Sequence, residues 1–321
     1  MNPYPPPPIP HGEEKPIPAR LPVPVICNLA SGRSATESRL RAAVASAGIA
    51  VDLQRVPPHA LAAAIQDAVA AGAPVVVVAG GDGSVSTAAR LLAGTSTVLA
   101  VFPAGTMNHF ARALGIDDHE SAARALASHS VTAVDVGEVS GRVFVNGVSF
   151  GLYPRMLRLR RKWEPRLGKR AAALLAGVRA VAELQAGPLW QPGPAEVASR
   201  YPLVWVGAGR GSFRSQRFHP RELDSGVLEL VVVSTWERAK LLRLAHRTLR
   251  RGIDGLYACA EFPWCSVRHA VEFVPAGPLP AWMDAGIDGE LVRLRPPLRF
   301  RIRAGALRVI SARPLAVPDG G

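Results

Sequence analysis

Apolar positions follow one rhythm in the first part of the chain and another in the second. In the first part, short unbroken apolar runs alternate with stretches whose apolar residues recur three and four positions apart, the pattern of buried strands alternating with amphipathic helices. Val23-Pro24-Val25-Ile26-Cys27-Asn28 reads as a strand, and Ser34-Ala35-Thr36-Glu37 has the spacing of a capping box that opens a helix toward Ala47-Gly48. Ile49, Val51 and Leu53 alternate as the next strand, Pro57-Pro58 punctuates, and Leu61, Ile65, Ala68 and Val69 give a second helix its apolar face. The run 74–79 shows no polar alternation, which predicts a strand covered on both faces of a parallel sheet. After a glycine-rich stretch, a helix is expected from Val85. Residues 97–102 form another buried strand, delivering Pro103-Ala104-Gly105-Thr106-Met107-Asn108 into a helix from His109 to Leu114 that Gly115 stops.

The second part is written in shorter units. Residues 132–139, 143–146, 203–206, 227–233, 267–274 and 291–310 read as strands separated by turn residues, which predicts a β-sandwich-like or barrel-like domain. Two basic helical stretches interrupt them, one from Arg155 through Arg170 and one from Glu237 to Arg251, with Leu, Met and Trp interleaved among the arginines. The expected fold is therefore α/β: an N-terminal open, mostly parallel sheet over residues 21–131, a β-rich domain over 132–300, and a final segment, 301–321, beyond it. Residues 1–20 are proline-rich, without the apolar core of a signal peptide, and read as a disordered leader.

Charge sharpens this division. Residues 1–135 hold 9 Lys/Arg and 10 Asp/Glu, a net −1, whereas residues 136–321 hold the remaining 29 and 15, a net +14. Such an excess fits an electronegative surface, nucleic acid or anionic lipid. No nucleic-acid reader motif is present, and an aromatic content of 6% leaves little for base stacking, so a membrane surface is the expected partner. Interleaved Leu and Arg suit that partner, although an ordinary amphipathic helix with a basic solvated face has the same pattern. The nearest approach to a spanning segment, 171–182, is interrupted by Arg179 and is too short. Three cysteines, Cys27, Cys259 and Cys265, lack metal-ligand spacing and fit a reducing cytoplasm.

Candidate chemistry concentrates at Gly80-Gly81-Asp82-Gly83-Ser84, where strand meets helix. Glycines let a backbone approach a bulky anion, and the helix that follows offers unpaired N–H groups and a positive dipole end. An acid within a phosphate cradle is explained if it also holds Mg²⁺ or accepts a proton. Three strand-to-helix loops, after Asn28, Ala79 and Phe102, fall at the carboxyl edge of the expected sheet, where open α/β sheets bind ligands. Asn28, Ser31, Gly32, Gly81, Asp82, Gly83, Ser84, Gly105 and Thr106 should line that edge. The P-loop fingerprint is absent, and Ser86 stands where a dinucleotide fingerprint needs its third glycine.

At these residues the chain resembles the diacylglycerol kinase catalytic-domain family, bacterial lipid kinases related to sphingosine kinases and more distantly to NAD kinases. The resemblance is carried by Gly80–Ser84, by Phe102-Pro103-Ala104-Gly105-Thr106-Met107-Asn108-His109, by Asn146-Gly147-Val148-Ser149-Phe150-Gly151, by Leu223-Asp224-Ser225-Gly226 and by Asp288-Gly289-Glu290. It implies an ATP- and Mg²⁺-dependent lipid kinase, acting as a cytoplasmic, peripherally membrane-associated enzyme, with a nucleotide domain, a β-rich substrate domain and a C-terminal segment that returns to the first. It further implies that Asp82 and Asp288 are catalytic, that Asn108 and Glu290 join the nucleotide-binding set, and that Asp82 and Asp224 hold metal. Against the family's usual pattern, Leu29 follows Asn28 where Pro is common, Ser84 replaces Thr, His109 replaces Asp, and Ser225 stands where a second acid often does. A member that binds lipid without turnover and a kinase of a soluble hydroxyl are the other readings.

Two local patterns admit a second interpretation. Gly147-Val148-Ser149-Phe150-Gly151 satisfies the GxSxG spacing of a hydrolase nucleophile elbow, with Asp224 and then His246 or His269 downstream. An elbow needs a helix directly behind its serine, and Gly151-Leu152-Tyr153-Pro154 is poor material for opening one. Asp288-Gly289, read on its own, is a hairpin turn.

Overall fold

The computed structural model describes residues 22–28, 34–184, 190–191, 199–211, 221–251, 264–276 and 281–313; the 1–20 leader, Ser31 and Gly32 lie outside them. The chain divides into two compact units, one made of Met1–Val136, Leu223–Gly226 and Arg303–Gly321, the other of Gly137–Glu222 and Val227–Ile302.

In the first unit, β1 (Val23–Asn28), α1 (Ser34–Ser46), β2 (Val51–Val56), α2 (Leu61–Ala70), β3 (Val75–Gly80), α3 (Asp82–Leu92) and β4 (Val98–Pro103) alternate in the expected order. The strands pair in parallel as β2-β1-β3-β4, and Val309 carries the sheet on by pairing in parallel with Leu99. Every residue of β3 and β4 is buried, which explains their unalternated apolar runs. The second strand starts at Val51 and reaches Val56, because parallel pairing with β1 selects its register.

The chain continues through α4 (His109–Ala113) and α5 (His119–Ala127). The latter has no counterpart in the sequence reading: its buried face is Ala122, Ala123, Ala125 and Leu126, small residues with little periodic contrast. It is fixed by a capping box in which the Asp118 carboxylate accepts the Ser121 N–H at 2.7 Å and the Ser121 hydroxyl accepts the Asp118 N–H at 3.0 Å.

His119 ties this helix to the sheet. Its ring N–H donates to the Pro103 carbonyl, while Nε2 is buried without a partner among the described residues. Burial lowers its proton affinity below the ordinary histidine value of 6.5, outweighing the Pro103 bond and the neighbouring acids that raise it. The unfolded chain therefore takes up a proton near pH 6.5 that the folded chain still refuses, so this contribution to stability is complete above that pH and declines as pH falls toward the folded value. His119→Asn should accordingly show a smaller drop in Tm than wild type between about pH 7.5 and about pH 5.5, read by thermal melts.

The second unit is an antiparallel sandwich. Its elements are the end of β5 (Val131–Val139), β6 (Arg142–Phe144), β7 (Gly147–Gly151), α6 (Leu152–Ala182), β8 (Trp190–Gln191), β9 (Leu203–Ala208), β10 (Leu228–Val233), α7 (Arg238–Arg251), β11 (Trp264–Arg268), β12 (Ala270–Pro275), β13 (Met283–Ile287), β14 (Glu290–Leu294) and the start of β15 (Leu298–Ile310). One layer has the order β11-β10-β9-β7-β13-β14. In the other, β12 lies between β8 and residues 298–301 of β15. Phe150 of the first layer meets Phe273 of the second edge-to-face at 5.0 Å, and Val204, Val206, Leu228, Leu230 and Phe300 fill the space around them.

Two expectations change here. Gly151-Leu152-Tyr153-Pro154 does open a helix, with Gly151 at φ +90° as its N-cap, where an added Cβ would stand 2.3 Å from the Pro202 carbonyl oxygen. Yet Ser149 is no elbow nucleophile: it sits inside β7, 1% exposed, between Trp205 of β9 and Gly286 of β13. The single strand expected over 267–274 is two, β11 and β12, in different layers.

Candidate active site

The glycine stretch is more compact than its composition suggests. Gly80 ends β3, Gly81 is the N-cap, and Asp82 and Gly83 already belong to the first turn of α3. The Ser84 and Val85 N–H groups donate to the Gly81 carbonyl, and helix geometry leaves the Asp82 and Gly83 N–H groups without intrahelical acceptors. The expected cradle is thus a helix N-terminus set directly on a strand end.

A second loop is pressed against it. Ala104 N–H donates to the Gly80 carbonyl at 3.0 Å, and the backbones of Gly81 and Gly105 approach so closely that a Cβ on Gly105 would lie 2.6 Å from the Gly81 Cα. The Asn108 carboxamide closes this loop on itself, accepting the Gly105 N–H at 2.9 Å and donating to the Gly105 carbonyl at 3.0 Å, with Asn108 in the left-handed region at φ +50°. Gly105, Thr106 and Met107 stand exposed at the tip. Gly105→Ala would also push its methyl to 2.8 Å from the Asn108 Oδ1. We expect it to cost about 1–3 kcal/mol, seen as a Tm lowered by several degrees, because neither backbone can yield without breaking the loop.

Asp82 bridges the two loops. Its Oδ1 accepts the His109 N–H at 2.7 Å, so the acid of one loop caps the helix that begins after the other. Below it, Asn28 at the end of β1 donates to the Ser84 hydroxyl at 2.8 Å, and both side chains are buried. Of the residues expected at this edge, the structure brings together Asn28, Gly80, Gly81, Asp82, Gly83, Ser84, Gly105, Thr106 and Asn108. A groove between α1 and α5 touches this edge only at Pro103; its Arg39 and Arg124 are offset by Asp117, Asp118 and Glu120, so it offers an anion no preference.

Asp224 is exposed, in the 223–226 turn that belongs to the first unit. That turn is fastened by Asp135, which sequence reading passed over as a polar strand residue. The Asp135 carboxylate, 3% exposed, accepts the Gly226 N–H at 2.6 Å and the Gly305 N–H at 2.9 Å, and its own N–H donates to the Leu223 carbonyl. No group of three or more His, Cys, Asp or Glu side chains that could hold a metal occurs among the described residues.

In the second unit, Asp288 and Gly289 form the two-residue turn of the β13–β14 hairpin, at φ +48° and +85°, and Glu290 begins the returning strand, exposed. The hairpin reading describes the backbone, but the side chain does more. The buried Asp288 carboxylate accepts N–H groups from Val145 at 3.0 Å, Asn146 at 2.8 Å and Gly147 at 2.9 Å. Arg221, also missed from the sequence, grips the same segment through its acceptors: its guanidinium donates to the Val145 carbonyl, the Asn146 side chain and the Ala208 carbonyl. Residues 145–147 are thereby held by an anion on their N–H side and by a cation on their carbonyl side.

Residues 22–139 match the model of the diacylglycerol kinase catalytic domain. A "Probable lipid kinase YegS-like" protein of Pseudomonas fluorescens is 31% identical over 252 residues, covering 76% of this chain and 80% of that protein. One of the same description from Pseudomonas aeruginosa is 29% identical over 250 residues, covering 76% and 79%. A crystal structure of a diacylglycerol kinase from Bacillus anthracis superposes with a TM-score of 0.62 over 90% of this chain and 96% of that one, at 21% identity. That likeness shows that the fold, a mostly parallel N-terminal sheet followed by an antiparallel domain, is shared.

Proposed function

The chain belongs to the diacylglycerol kinase catalytic-domain family of lipid kinases, and on that premise we propose that it transfers the γ-phosphate of ATP to a hydroxyl of diacylglycerol or a related lipid. The observation that carries this reading is the junction of Gly81 and Gly105: two backbones in contact, space that any Cβ would fill, a helix N-terminus beside it and one acid reaching across. Phosphoryl transfer asks little covalent chemistry of a protein and depends on positioning and charge. The Gly83 N–H, at the start of the helix, is suited to a phosphate oxygen. Asn28 and Ser84 fix the strand end and the helix start beneath it, and Asn108 sets the shape of the second loop.

A Mg²⁺ ion bound with the triphosphate would neutralise the charge that develops on it. Asp82 is the carboxylate assigned to hold it, its Oδ1 fixed by His109, and Asp224 is the second candidate. With so few protein ligands, phosphate oxygens and water would complete the shell, as is usual for this ion. Asp288 is assigned the role of general base toward the acceptor hydroxyl, the role that the family resemblance implies for this carboxylate. Glu290 is assigned the nucleotide or metal contact that the family resemblance implies.

The test is transfer of labelled γ-phosphate from ATP with Mg²⁺ to a panel of diacylglycerol, a sphingoid base, a prenol, phosphatidylglycerol and the soluble acceptor NAD, with Asp82→Asn as the blank. Label in one lipid supports the reading. Label in NAD alone, or in nothing, overturns it.

A further inference from the structure

The second half of α6 is built inside out. Gly168, at φ +71°, breaks the helix. In residues 171–182 beyond it, Arg179 is the single charged residue. The face turned to the protein is made of small side chains: Ala172, Ala176 and Ala180 are fully buried, and Gly177 lies against Met156. The large apolar side chains point outward, Leu174 at 47% exposure, Leu175 at 46% and Val178 at 44%, with Ala171 and Ala182 exposed on the same side. At positions i, i+1 and i+4 they form one continuous patch. An amphipathic helix of a water-soluble domain does the reverse, and a contiguous apolar patch of this kind marks an interaction surface.

Charge identifies the partner. Leu167, 46% exposed, and exposed Arg166 stand just before the break, and Lys169 and Arg170 follow it in sequence. Packing of Val181 with Leu241 and Leu244 sets α7 beside this helix. That helix contributes six Lys/Arg and no acid, and exposes Leu242 beside Arg243. At about 1.5 Å per residue the apolar segment is roughly 18 Å long, too short to span a bilayer and long enough to lie in its surface. No helix among the described residues is long and apolar enough to cross. The outward Leu-Leu-Val patch is preceded in sequence by Arg166, Lys169 and Arg170 and neighboured by a helix without acids, and apolar anchors accompanied by basic residues are the chemistry of an anionic lipid surface.

We infer that the outward face of residues 171–182, with Leu174, Leu175 and Val178 as its anchors, inserts shallowly into an anionic bilayer and seats the protein on the membrane that holds its acceptor. The inference rests on the lipid-kinase reading for its purpose, but not for its measurement. Co-flotation with vesicles of phosphatidylcholine and phosphatidylglycerol, compared with phosphatidylcholine alone, should show binding to the anionic vesicles. The triple variant Leu174→Ser/Leu175→Ser/Val178→Ser should lose at least tenfold in partitioning, and Leu175→Ser alone a smaller part, with thermal melts unchanged because all three positions are exposed. Wild type that ignores anionic vesicles, or a triple variant that partitions equally well, overturns the inference. So does a wild-type dimer that the triple variant makes monomeric without changing vesicle binding, for the patch would then serve self-association. If vesicle binding behaves as stated while no lipid is phosphorylated, the seating surface stands and the kinase reading falls. If the triple variant keeps its rate on a short-chain diacylglycerol in detergent but loses it on vesicles, both stand.

Discussion

Asp82→Asn is expected to lower phosphoryl transfer by at least about 10³-fold, some 4 kcal/mol of transition-state stabilisation, while leaving the Tm close to wild type. The two halves of this result come from different atoms. An Asn side chain retains a carbonyl oxygen where Oδ1 accepts the His109 N–H at 2.7 Å, so the bridge between the two loops survives. What it loses is the negative charge, and with it the ability to hold a divalent cation beside the phosphates. Asp82→Ala would lose the bridge as well, and should be both inactive and less stable. A steady-state assay alongside a thermal melt separates the cases. An Asn variant working at near-normal rate would show that Asp82 is only a cap for the following helix.

Replacing Asp288 should produce the largest loss of stability, graded by what the new side chain can still accept. Asp288→Ala abandons the N–H groups of Val145, Asn146 and Gly147 together, which at about 1–3 kcal/mol for a buried unsatisfied donor implies a loss of about 3 kcal/mol or more. Asp288→Asn is milder. Asn tolerates the φ of +48° that this turn position requires, and its oxygen can keep Asn146 and Gly147, but its amide then faces the Val145 N–H, donor against donor. Denaturant titration should therefore rank wild type above Asn and Asn above Ala. The same Asn protein tests the chemistry: lost turnover with a folded domain fits a base, whereas reduced stability with undiminished turnover would leave Asp288 as a clamp on residues 145–147 and remove it from the reaction.

The first unit was largely legible because its signals are dense. Runs such as Val75–Gly80 are long, fully apolar and closed by glycine, and only a strand buried on both faces makes such a pattern economical. The residues that fasten the site were less visible. Asp135 and Arg221 each act alone, far in sequence from what they hold, and their value lies in burial that a linear pattern does not reveal. The α5 helix escaped because its buried face is alanine, which contrasts weakly with its surroundings. Residues 171–182 defeat pattern reading for the opposite reason. With one charge, Arg179, in twelve residues, periodicity carries little information about which side faces the protein, and the packing of the alanines decides it.

The path of the chain bears on how the protein comes into being. Its first unit is discontinuous, taking Met1–Val136, the 223–226 turn and residues from Arg303 onward, and its sheet is continued beside β4 by β15. During synthesis the outer edge of β4 must wait for some 206 residues, 104 through 309, to emerge, roughly 10–40 s at ordinary translation rates, and the Asp135 carboxylate meets Gly226 well before Gly305. For that interval the nascent chain presents an unpaired parallel edge, the kind of surface that seeds misassembly. A ribosome stalled before Arg303 should thus hold a domain whose sequence is nearly all present and whose fold is not, dependent on a chaperone until residues 303–310 of β15 arrive.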